Sequence, residues 1–167
     1  MAGDERFETC LGPNTATSLM SLAGLHVAMG KYAEVVPLYE EVLGIHEAQL
    51  GPDHPDTATS LGNLAKVYEA VGEHAKALEK FTMALQMQLK LGLHVEAAVT
   101  QGEIGSVQLY QGKFKDALLS LREAEAVLLR TEDKQIEAAR TQRNIGQCLY
   151  RLSKYDDAES SHVQSIR

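Results

Sequence analysis

The sequence predicts an all-α fold, an α-solenoid of stacked antiparallel helical hairpins. Three observations lead there. Aromatic residues make up 5% of the chain and Trp is absent, while Ala and Leu abound, a bias towards helix over strand. Large apolar residues recur three and four positions apart on either side of glycines, which is the helical period. One pattern also repeats along the chain. Gly30-Lys31-Tyr32, Gly72-Glu73-His74, Gly112-Lys113-Phe114 and Ser153-Lys154-Tyr155 are spaced by 42, 40 and 41 residues.

Further residues keep this register. Val35, Ala77, Ala117 and Ala158 follow the turns, and Tyr39, Phe81, Leu121 and His162 come one helical turn later. Before the turns stand Leu22, Leu64, Ile104 and Ile145, each followed by a small residue: Ala23, Ala65, Gly105 or Gly146. A small side chain there lets two helices approach closely. Glycine at the turn ends a helix in a conformation that costs other residues more.

Taken in order, helices are expected at about 14–29, 33–50, 55–71, 74–91, 95–111, 114–130, 135–152 and 155–167. Gly51-Pro52 stops the second, and Pro55 suits the first turn of the third, where its missing N–H costs little. Asp53, His54 and Asp56 offer a cap and negative charge at that start. The connector before the fifth helix has no proline, and Ser153 replaces the last turn glycine. Residues 1–13 are expected to be the remnant of a preceding helix and its linker. Residues 14–167 form the array, about 14–55, 56–96, 97–137 and a truncated 138–167. Arrays need polar caps; neither end reads as one, so a fragment of a longer array or a truncated gene product is expected.

The Leu–small, Gly–aromatic, Ala and aromatic spacing resembles the tetratricopeptide repeat, whose usual period is about 34 residues. The longer period, with LGPDHPDTATSLGNLA at 50–65 and a clipped copy LGPNTATSLMSLA at 11–23, resembles the kinesin light chain type of that repeat. The resemblance implies a right-handed α-solenoid whose first helices line a concave groove. It implies a non-catalytic protein–protein interaction scaffold or adaptor, of cargo-adaptor kind, that captures a peptide segment of a partner. The alternative is a sensor or regulatory array within a larger nucleotide-dependent signalling protein. A motor connection would need a heptad coiled coil, and this chain has none.

Other chemistry is weak. A net charge of −7 argues against nucleic-acid or anionic-membrane partners, which require a basic surface. Cys10 and Cys148 lack metal-ligand spacing and read as free thiols, the six histidines form no His-x-x-x-His pair, and no metal is expected. GLHVAMGKY at 24–32 misses the phosphate-loop spacing and has Tyr after its Lys. Asp53-His54-Pro55-Asp56 reads as capping, and Met83 and Met87 as packing. Neither an enzyme nor a cofactor is indicated. The charged start has no apolar signal region, and no apolar run suits a membrane span, so a cytoplasmic protein is expected.

The groove-facing stripes follow from the helical phase. In the last copy Ile145, Leu149 and Leu152 form the apolar side, and Arg140, Arg143, Gln147 and Arg151 lie about 150° away, flanked by Asn144 and Tyr150. The upstream stripes are Thr17, Met20, Gly24 and Ala28; Thr59, Gly62, Lys66 and Ala70; and Val99, Gly102, Ser106 and Tyr110. Residues 138–154 hold four positive charges and no acid, leaving −11 on the remainder. This basic patch suits an acidic or carboxylate ligand. By the resemblance, Asn63 and Asn144 match a groove asparagine that holds a ligand backbone, and Glu103 breaks that series. Met20 and Gly24 replace the Lys and Asn that chaperone tails require. The candidate site is therefore Asn63, Lys66, Tyr110, Arg140, Arg143, Asn144, Gln147, Tyr150 and Arg151.

Overall fold

The computed structural model describes residues 13–165, which are helical apart from short connectors. In order they are α1 (Pro13–Ala28), α2 (Tyr32–Leu50), α3 (Pro55–Ala70), α4 (His74–Lys90), α5 (His94–Tyr110), α6 (Phe114–Leu128), a 3-10 turn (Glu132–Lys134) and α7 (Gln135–Ser165). The first six fall within two residues of expectation. The expected tail of a preceding helix, and Cys10, lie outside the described residues.

Glycine makes the turns. Gly30, Gly72 and Gly112 end first helices at φ 72°, 82° and 75°, and no other residue type among those described has positive φ. Gly92, at φ 72°, ends α4 in place of the missing prolines. At the proline-bearing connector His54 caps α3, its Nδ1 accepting from the Asp56 N–H at 3.2 Å. Thr57 is buried beneath and donates to the Gly51 carbonyl at 2.9 Å.

The expected last hairpin does not form. α7 runs unbroken through Ser153 and Lys154 to Ser165, where two helices, 135–152 and 155–167, were expected. Ser153 keeps the register of the turn but lacks the left-handed freedom that makes it, so continued helix costs less than reversal. The side chains of Ala158 and His162, which carry the register further, lie outside the described residues.

The chain divides into two compact units, residues 1–83 and 84–167, with the boundary inside α4. In the first unit Ala16, Val42 and Ile45 pack α1 on α2, and Ala23, Val35 and Val67 join α1, α2 and α3. In the second, Ala98, Ala124, Leu128 and Ala138 form one cluster, and Ala117, Leu121, Ile145 and Cys148 another. Cys148, a free thiol, thus takes the core place expected of Leu149, which is exposed because no folded-back helix covers that flank of α7. On α1, Leu22 is 42% exposed, whereas its register equivalents Leu64, Ile104 and Ile145 are at 1%, 7% and 4%.

The small position differs between α5 and α7. A Cβ on Gly105 would stand 2.6 Å from Leu121 Cγ and 3.3 Å from the Ala117 carbonyl oxygen, so α5 and α6 touch only because that atom is missing. A Cβ on Gly146 would meet nothing within 4 Å.

A polar pair also ties α3 to α2. The buried Tyr68 phenol donates to Glu40 Oε1 at 2.7 Å. That bond first, then burial and the nearby carboxylates of Glu40, Glu73 and Glu79, push its pKa up to about 12. A raised pKa stabilises the fold fully below the unfolded value of 10.0, and that contribution is lost as pH climbs through about 12. Absorbance titration should show one tyrosine ionising near pH 12, and Glu40→Gln should lower that pH.

Candidate functional site

The exposed stripe of α7 is built by helical phase. Arg143, Gln147 and Arg151 follow one another at four-residue steps, so all three project from one face, the two arginines about 12 Å apart in rise. All three are exposed, as is Tyr150 beside them. Lys154 Nζ lies 4.9 Å from the centroid of the Tyr150 ring, which adds a cation–π contact at that end. Among the described residues no carboxylate pairs with Arg143 or Arg151.

Two further members of the predicted set have a different job. Arg140 Nη2 donates to Glu103 Oε1 at 2.7 Å, and the Glu103 side chain is only 5% exposed. Asn144 is buried, and its Nδ2 donates to Ser106 Oγ at 2.8 Å, which in turn donates to the Gly102 carbonyl at 3.0 Å. Thr141 Oγ1 lies 3.4 Å from where a Gly102 Cβ would be. These contacts form a polar seam between α5 and α7, two first helices side by side. The seam covers Gly102 and Ser106, so of the stripe predicted on α5 Val99 is half-buried and only Tyr110 is well exposed, at its end.

In the first unit the phase argument places Thr59, Lys66 and Ala70 at the surface of α3, with Gly62 and Asn63 half-buried. Thr17, Gly24 and Ala28 are likewise exposed on α1. Asn63 and Lys66 therefore belong to one unit, and the other seven candidates to the other.

Sequence reasoning missed Glu103 as the partner of Arg140. A signal was present. The Arg140–Glu103 and Asn144–Ser106 pairs are separated by 37 and 38 residues, and they sit one helical turn apart on both helices. An acid in the asparagine series, one repeat before a basic stripe, marks that diagonal.

A second feature of this unit is an open pocket of about 430 Å³ at the start of α6, lined in part by Lys113, Phe114, Leu152 and Tyr155. The Phe114 and Tyr155 rings pair at 5.7 Å across it. Among the described residues no three His, Cys, Asp or Glu side chains come together as a metal site, and no helix is long and apolar enough to cross a membrane.

Helical hairpins repeated at about 40 residues, with small residues at the helix crossings and a polar face on the first helices, define a helical-repeat solenoid protein. The tetratricopeptide repeat pattern matches residues 14–90 and again residues 103–166, and the chain belongs to that family. Its fold is similar to that of BtubC (BKLC) from P. vanneervenii, at 18% identity and TM-score 0.76, covering 87% of this chain and 59% of that one. The kinesin light chain nearly identical TPR-like repeats of Podosopora anserina match at 24% identity and TM-score 0.65, over 93% of this chain and 79% of that one. PcrH in complex with the chaperone binding region of PopD matches at 15% identity and TM-score 0.68, over 85% and 96%. No curated protein sequence matches the chain at a significant level.

Proposed function

We propose that this chain is a non-catalytic protein-interaction module that captures an acidic peptide segment of a partner on the exposed stripe of α7, in the manner of a scaffold or cargo adaptor. One observation carries the reading. Arg143 and Arg151 stand unpaired among the described residues on one exposed stripe of α7, in a chain whose net charge is −7. Such arginines offer bidentate contacts to carboxylates. Gln147 between them can bond a peptide backbone, and Tyr150 supplies apolar contact with few rotatable bonds. Tyr110 on α5 extends the proposed surface within the same unit, and Asn63 and Lys66 form a separate candidate patch on α3 of the other unit. A fold like that of PcrH, which is held in complex with a region of PopD, supports peptide capture by such hairpins.

A fluorescein-labelled peptide of alternating Glu and Ser serves as probe, read by anisotropy. The intact chain should bind it, more weakly as salt rises. Arg143→Glu/Arg151→Glu should weaken binding at least about tenfold while circular dichroism stays helical. Unchanged affinity discards this surface.

A further inference from the structure

We infer that Glu103 sets the specificity of the basic stripe by claiming Arg140, so that of the stripe's three arginines Arg143 and Arg151 are left for ligand carboxylates. The inference rests on α7 being the ligand-binding face. Four groups follow each other along that face at three- and four-residue steps, Arg140, Arg143, Gln147 and Arg151. The first of them is spoken for. Its guanidinium bonds Glu103 at 2.7 Å, and the carboxylate is almost wholly enclosed. A ligand carboxylate could recruit Arg140 only by taking it from a buried acid, which costs more than pairing with an exposed arginine.

Neighbouring contacts hold the pair in place. Asn144, one turn on, is bonded to Ser106, and Thr141 fits over Gly102, so α7 cannot swing to offer Arg140 elsewhere without breaking the seam. Arg140 itself is 40% exposed, close enough to the surface to be engaged once Glu103 is neutralised. The seam therefore leaves two of the stripe's three arginines available, about 12 Å apart around Gln147. That spacing fits two acidic side chains four residues apart on an extended peptide, at about 3.3 Å per residue.

The same labelled Glu/Ser peptide tests this. Arg143→Gln should lose about tenfold in affinity. The double variant Glu103→Gln/Arg140→Gln removes the buried carboxylate together with its part-exposed partner, which keeps the seam folded, and should bind within about twofold of the parent. Glu103→Gln alone leaves Arg140 with surplus charge and should bind about threefold tighter or better, a gain that the double variant abolishes. A loss in the double variant as large as that of Arg143→Gln, or no gain in Glu103→Gln, overturns the inference. If instead Arg143→Glu/Arg151→Glu binds as the parent does, it is the assignment of α7 as the binding face that fails.

Discussion

Truncation of Leu121 to Ala is expected to cost about 2–5 kcal/mol of stability, the largest effect of any change considered for this chain. Leu121 is fully buried on α6 and belongs to the cluster with Ala117, Ile145 and Cys148, so it is held by α5 on one side and α7 on the other. Its removal opens a cavity that rigid helices can only partly close. Urea unfolding followed by helical circular dichroism provides the measurement. A loss below about 1 kcal/mol would mean that α6 is not clamped between those helices.

Gly105→Leu attacks the same contact from the opposite side and should destabilise by about 1–3 kcal/mol. The backbone there is ordinary helix, so Leu would be the better helix former. The loss comes from overlap with Leu121, whose Cγ already lies 2.6 Å from the first added carbon. Two comparisons isolate that cause. Gly105→Leu/Leu121→Ala should lose less than the sum of the single changes, because the second substitution vacates the space the first one fills. Gly146→Ala, at the equivalent place on α7 with nothing within 4 Å, should stabilise by up to about 1 kcal/mol. Equal destabilisation at Gly105 and Gly146 would break the link between the small position and a covering helix.

The first six helices were legible because two signals agreed at each, an apolar period of three and four residues and a glycine able to turn left-handed. At Ser153 the signals parted. Register placed a turn there, while the agent that makes a turn was missing, and the chemistry of the residue prevailed over its place in the pattern. The exchange of Leu149 for Cys148 in the core follows, since α5 and α6 cover α7 and no helix folds back on its remaining flank. The exposed placement of Arg143, Gln147 and Arg151 was legible because phase along a single helix needs no knowledge of neighbours. Arg140 and Asn144 were not, because their partners Glu103 and Ser106 sit on another helix. Which groups meet there depends on the axial offset of the two helices, and packing sets that offset.

Cys148 gives the chain a chemical clock. Its sulfur lies fully enclosed where α7 meets α6, and burial pushes the thiol pKa up, so both access and thiolate are withheld while that contact lasts. A disulfide reagent can therefore reach it only during excursions in which the last helix lifts away. With Cys10 replaced by Ser, the labelling rate in native buffer would time those excursions on their own, apart from unfolding of the remaining helices. An occupied basic stripe on the outer face of the same helix should slow the clock.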